Sequence, residues 1–277
     1  MAYLLSENFF NVRQFPSHTI NSRNQADGYE VYRVANARRH TNNYYTGTTD
    51  AQQAYIQASC DRVRAADMLV IDRNSNLSGA TVRVRASNTI LDHTTAATRY
   101  EEVSFTVPAN TYAGNYLSAG HPVRTDEGAI VYRFAPMAGK FWSVFIDSMG
   151  SNTRQQVGGL WLGKSWSPEI TPMPWDDEPR WLQVNEFRRG SPSEYSRTGR
   201  QAQLVCMLRD DTEWMAARWY IHSLFWKGHS MWYVPDLANA ERTWLAYAPS
   251  GEYSAPYQGR RGRDLALTMV EYQPVRL

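Results

Sequence analysis

The chain reads as a mainly β protein in two parts. An N-terminal antiparallel β-sandwich is followed by a small α+β domain with one helix packed on a sheet or barrel. Three observations predict this. Residues 1–165 are a series of short apolar segments, several alternating strictly: in "ATVRVRAS" (80–87) Val82 and Val84 face one way while Arg83 and Arg85 face the other. Turn-rich clusters, "RNSNLSG", "PANTYAGN" and "DSMGSN", separate these segments. A stretch with prolines at 168, 172, 174 and 179 then breaks the pattern, and beyond it the only long 3.6-residue periodicity appears.

In chain order, "YEVYRVAN" (29–36) alternates and is expected as a strand. "DMLVID" (67–72) is a continuous apolar run, the pattern of a strand buried on both faces. "VSFTVP" (103–108), "AIVYRFAP" (129–136), "FWSVFIDS" (141–148) and "VGGLWLG" (157–163) continue the sandwich, giving a first domain over 1–165. Residues 166–180 read as an extended proline-rich linker that packs through Trp166 and Trp175. The second domain, 181–277, opens with strands "WLQVNEFRRG" and "RQAQLVCMLR", separated by a polar segment at 190–199 expected to be flexible. A helix follows over 211–227: Asp210 and Glu213 form a capping box, Trp214, Ala217, Ile221 and Phe225 share one face, and Gly228 stops it. "SMWYVPD", "RTWLAYA" and "DLALTMVEY" close the domain as strands.

Composition limits the function classes. With 29 basic and 27 acidic side chains the formal charge is +2, too balanced for nucleic acid or an anionic membrane as the main partner. No apolar run is long enough to insert into a membrane, and the N-terminus lacks the pattern of a signal peptide. The only two cysteines, Cys60 and Cys206, are far apart and fit free thiols in a reducing compartment. His222 and His229 have no partner at metal-ligand spacing, so no metal is expected. Asp176, Asp177 and Glu178 stand adjacent in the linker, not opposed across a cleft as glycoside hydrolysis requires. "GRRGRD" (259–264) reads as a solvated hairpin turn. No nucleophile elbow, phosphate loop or dinucleotide fingerprint occurs, so the expectation is a non-enzyme without a cofactor.

The ten tryptophans and 17 tyrosines therefore carry the functional question. In "GHSMWYVPD" (228–236), Trp232 and Tyr233 are neighbours on a strand, and alternation sends them to opposite faces. One ring faces the core, and the other is expected outward with Trp244 and Tyr247 as a subunit contact. Tyr44, Tyr45, Tyr112 and Tyr116 lie in loops beside Asn42, Asn43 and Asn115, a composition that suits either a glycan or a protein partner.

"AGKFWSVFIDSMGSNTRQQVGGLWLGKSWSP" (138–168) resembles the closing strands of a discoidin-like, galactose-binding-type jelly roll of the kind used in phage tail proteins. Phe141, Trp142, Ile146 and Asp147, then Leu160, Trp161, Leu162 and Gly163, fill its pattern, and 64–87 fits the centre of the same module. "LVCMLRDDTEWMAARWYIHSLFWKGHSMWYVPD" (204–236) resembles the strand, helix and "VPD" strand of a tail-tip or distal-tail domain of long-tailed bacteriophages, which implies a tail-tube-like barrel. The resemblance implies a virion protein of the tail tip or baseplate, assembled in the host cytoplasm. It would form a six-fold or three-fold homo-oligomeric ring that joins the tail tube to other tail proteins or fibres. The alternative from the same residues is an adhesin whose jelly roll recognises host surface glycan. No ligand-binding residues carry over, because the sugar contacts of that fold lie in loops that do not match here.

Overall fold

The computed structural model describes residues 3–23, 31–35, 45–46, 54–72, 77–91, 97–109, 117–147, 155–167, 179–188, 191–208, 211–225, 230–247, 253–254 and 263–271. The protein is mainly β, with antiparallel sheets and a short helix. It divides into two units. The first comprises Met1–Ser167 together with Trp232–Thr243, and the second comprises Pro168–Met231 and Trp244–Leu277.

The first unit contains β1 (Tyr3–Leu5), β2 (Thr19–Arg23), β3 (Tyr45–Thr46), β4 (Ala54–Asp72), β5 (Thr81–Ser87), β6 (Glu101–Thr106), β7 (Pro122–Arg124), β8 (Ile130–Ile146), β9 (Gln156–Val157) and β10 (Gly159–Gly163). Its frame is the antiparallel pair of long strands, β4 with 19 residues and β8 with 17. Register shifts between Ser59 and Arg64 and between Ala66 and Met68 divide this pair into two sections. In one, Ala54–Ser59 meets Phe141–Ile146, and β2, β5 and β6 extend it in the order β6-β5-β8-β4-β2. In the other, Met68–Ile71 meets Ile130–Arg133, flanked by β10 on β4 and β7 on β8. Bulges let one strand bend and serve both layers of a sandwich.

Alternation explains the core of the first section. Val82, Val84 and Ala86 stand opposite Ile146, Val144 and Trp142, and Ile56 and Ala58 complete the same face. All are buried. "DMLVID" lies at the end of β4 with both faces covered, as its unbroken apolar run predicted. The segments 129–136 and 141–148, read as two strands, are one strand, because Met137–Lys140 keep the extended conformation. Gly139 makes this possible: a Cβ there would meet the Ser87 backbone nitrogen at 2.7 Å. Val31–Ala35, expected as a strand, is a 3-10 turn. Two-residue alternation over so short a run does not fix the conformation when no strand among the described residues is paired with it.

An N-terminal arm is bound into this unit. Leu4 exchanges two 2.8 Å backbone hydrogen bonds with Trp166, and the Phe9 amide donates to the Leu162 carbonyl. Where the arm crosses β10, a side chain in place of Gly163 would strike the Glu7 carbonyl oxygen at 2.6 Å. Trp166 is thus part of the sandwich unit, not of a linker; Trp175 lies outside the described residues.

The second unit contains β11 (Pro179–Arg188) and β12 (Ser191–Leu208), paired in unbroken register from Pro179 opposite Arg200 to Arg188 opposite Ser191. The polar segment 190–199 is therefore mostly strand and not a flexible loop. Backbone pairing needs no apolar side chain, so polarity alone hid it. The helix α1 (Asp211–Ala217) continues as a π-helical segment, Arg218–Phe225. Ala217 and Ile221 are buried, as the periodicity required, but the spacing of four between them fits either winding. After β13 (Met231–Val234) come β14 (Trp244–Tyr247), β15 (Tyr253–Ser254) and β16 (Arg263–Glu271), with β16 pairing β12, β14 and β15.

Residues Trp232–Thr243 leave this second unit and complete the first. Trp232, Tyr233 and Val234 pair with Leu5, Leu4 and Tyr3 of β1. Asp236 then caps a 3-10 turn, Leu237–Arg242, whose Leu237 and Glu241 carbonyls accept from the amides of Leu117 and Asp126. The sequential division at 165 and 181 placed all of this in the second domain.

Candidate functional site

The aromatic pair of "GHSMWYVPD" is not a surface feature. Trp232 and Tyr233 are both fully buried within the single chain, as is Trp244, so the expectation that one ring stays exposed for a neighbour is not met. The Trp232 ring meets Trp161 edge-on at 5.7 Å, and β1 pairs along one edge of β13. Tyr247 sits on β14 opposite Val270, and its side chain is outside the described residues. Tyr45 pairs with Val157 through the β3–β9 backbone, while Tyr44, Tyr112 and Tyr116 lie outside the described residues. So do His229, Asp176, Asp177, Glu178 and 259–262, and the side chains of His222 and Cys206. Among the described residues no group of three or more His, Cys, Asp or Glu could hold a metal ion, and no helix is long and apolar enough to cross a membrane.

A different constellation forms on the outer face of the section β6-β5-β8-β4-β2. The residues between the core positions all point there. Cross-strand register lines up Asn21, Gln57, Ser143, Arg85 and Glu102 in one row. The adjacent row contains Tyr55, Phe145, Arg83 and Ser104. The Arg85 guanidinium lies 4.3 Å from the centroids of both Phe145 and Tyr100, and its Nε donates to Glu102 Oε2. Arg83 Nη2 donates to Asp147 Oδ1, and the Tyr55 and Phe145 rings are 4.7 Å apart.

The middle of this face is closed over. Tyr55 donates its hydroxyl to the Leu91 carbonyl at 2.8 Å, and the Ser87 hydroxyl donates to the Arg99 carbonyl at 2.6 Å, fastening two stretches of chain above the sheet. Beneath them Gln57 Nε2, Ser143 Oγ and Arg83 Nε are buried with no hydrogen-bond partner among the described residues. The rim is open: the side chains of Arg83, Asp147 and Glu102 are 28, 33 and 30% exposed. Donors, acceptors and rings at such a rim suit a ligand with hydroxyl groups and an apolar face. Strict alternation in 80–87 had pointed Arg83 and Arg85 outward, but it could not show that Phe145, Tyr100 and the two carboxylates would meet them.

A second polar cluster surrounds the N-terminal arm. His18 Nδ1 faces the Phe9 carbonyl at 3.1 Å and Nε2 faces Asp61 Oδ1 at 3.2 Å. Burial outweighs both acceptors and holds the imidazole below its usual 6.5. Burial also pushes Asp61 up, but hydrogen bonds from Arg64 and His18, together with the Arg64 charge, reverse this and hold its carboxyl low. The same ring stacks on Phe15 at 4.6 Å, and Arg64 covers Phe15 at 4.3 Å. The neighbouring Cys60 is buried, which pushes its thiol up to about 12 and leaves it unreactive as a nucleophile. This cluster ties the arm to β4.

No protein-family model matches the chain, and no curated protein sequence matches it. Several solved structures are similar to part of the chain. One is chitosan-binding module 1 of a chitosanase/glucanase from Paenibacillus sp. IK-5, at 11% identity and a TM-score of 0.38, covering 56% of this chain and 98% of that one. Another is the lectin domain of lectinolysin in complex with Lewis b antigen, at 10% identity and a TM-score of 0.39, covering 57% and 96%. A GH29 fucosidase from Ruminococcus gnavus in complex with fucose matches at 9% identity and a TM-score of 0.39, over 58% of this chain and only 27% of its own length. None of these three is a tail protein. Identities and scores this low carry no argument about what the chain binds.

Proposed function

We propose that this is a non-catalytic recognition protein whose sandwich unit binds a saccharide at the outer face of the β6-β5-β8-β4-β2 section. The observation that supports it is the rim where the partly exposed Arg83, Asp147 and Glu102 surround the buried Arg85, which lies against Phe145 and the half-buried Tyr100. A guanidinium next to a carboxylate offers donors and acceptors side by side, the complement of neighbouring sugar hydroxyls. The half-buried Tyr100 ring beside them supplies aromatic carbon that complements the C–H face of a pyranose. The protein is tested on a glycan array and by calorimetry with the saccharides that score. Binding that is lost in Arg85→Ala, with the fold intact by circular dichroism, is the expected result. An array without any binder overturns the reading.

The second reading is a structural component of a phage tail tip, present in the virion and partnered by other tail proteins. The order β12, helix, and a β13 strand running into Pro235 and Asp236 supports it, since that is the order the tail-domain resemblance implies. Negative-stain microscopy of the purified protein tests it: rings are the expected result, and monomers at all concentrations overturn it. The two readings are compatible, because a tail-tip protein can also recognise a host surface.

A further inference from the structure

We infer that Asp147 and Glu102 make the outer face selective for uncharged saccharides, by occupying the two guanidinium groups that would otherwise capture an acidic sugar. The inference rests on the saccharide reading above and goes beyond it to the ligand's charge.

The two arginines sit at alternate positions of β5, two residues apart on the same face. Each has its own carboxylate. Arg83 on β5 donates to Asp147, the residue that follows β8, and Arg85 donates across the strand pair to Glu102 on β6. Each of these two pairs is by itself without net charge. An unpaired guanidinium is a strong, geometrically specific receptor for a carboxylate or sulfate. A paired one is not: an incoming anion must displace the resident carboxylate or lie beside it, and like charges in contact disfavour binding. A hydroxyl meets no such obstacle, since it can donate to Asp147 and accept from Arg83 in one contact.

The placement of the carboxylates fits a selective role. Arg85 is buried against Phe145 and Tyr100, so its position does not depend on Glu102 alone, and the 28% exposed Arg83 is the guanidinium that an acidic sugar would reach first. Asp147 and Glu102 are each about one-third exposed, at the open rim and not in the closed centre. Specificity by an element that repels the wrong ligand is the form expected where attractive contacts alone, hydroxyl by hydroxyl, discriminate poorly.

The experiment compares wild type, Asp147→Asn and Glu102→Gln on neutral galactose- and fucose-containing oligosaccharides and on their sialylated or uronate-containing counterparts. Each amide keeps the shape of the carboxylate and removes its charge, and circular dichroism confirms that the variants fold. Wild type is expected to bind neutral ligands only, and each variant to raise the ratio of acidic to neutral binding by about tenfold or more at low salt. Wild-type binding to acidic ligands as strong as to neutral ones overturns this inference and leaves the saccharide reading standing. Unchanged ratios in both variants overturn it in the same way. Absence of all saccharide binding in wild type and variants overturns the saccharide reading itself, and the inference falls with it.

Discussion

The two faces of the section β6-β5-β8-β4-β2 are built from the same strands by alternate residues, yet they are physically opposite. The inner face is Val82, Val84, Ala86, Trp142, Val144, Ile146, Ile56 and Ala58, all apolar and all buried. The outer face puts Arg83, Arg85, Gln57 and Ser143 among Tyr55 and Phe145. It too is mostly buried, and its Tyr55 and Ser87 hydroxyls donate to the Leu91 and Arg99 carbonyls. One face gains from excluding water from hydrocarbon. The other buries polar groups that must find partners, and three of its atoms have none among the described residues. A sheet whose outer face is merely solvated would show neither the closure nor the unpaired atoms. Function is read from the face where stability is given up.

That contrast can be broken first on the inner side. Trp142 is fully buried, touches Phe9 at 5.5 Å between centroids, and donates its indole N–H to the Gly139 carbonyl at 2.9 Å. Trp142→Ala is expected to lower stability by about 3–5 kcal/mol, the range for deleting a large core ring. Chemical denaturation measures it, and a loss near zero would mean that this face is not the core. On the outer side, Arg85→Ala removes a charge-assisted hydrogen bond and two ring contacts, with an expected loss of about 2 kcal/mol. The same variant is the one expected to lose saccharide. A loss as large as that of Trp142→Ala would make the outer face structural, not functional.

The smallest effect has the opposite sign. Gln57→Met keeps the approximate shape of the side chain and removes a buried amide nitrogen that has no partner among the described residues. Stability is expected to stay level or rise by up to about 1 kcal/mol. A clear fall in stability would show that the amide is satisfied in the fold.

The strands were largely legible from the sequence because their information is local. Val82 and Val84 against Arg83 and Arg85 state both the strand and its inward face. The capping pattern before Trp214 likewise announces a helix near 211, although not its change of winding after Ala217. The site was half legible. Alternation put the arginines outward, but Tyr100, Glu102 and Asp147 reach them from the residue before β6, from β6 itself and from the residue after β8. Only cross-strand register brings those positions together, and register depends on the whole buried face.

The sequence by itself determined what each short segment wants: extended or helical backbone, and which alternate residues avoid water. Those preferences follow from steric and solvation terms that act within a few residues. Tertiary structure alone decided that Trp232–Thr243 belongs with the sandwich, and that both Trp232 and Tyr233 are interior. Alternation correctly assigns neighbouring side chains to opposite faces, but it does not say what covers either face. Here Trp161, far away in the chain, packs on the Trp232 ring, and such a contact leaves no periodic signal in the sequence.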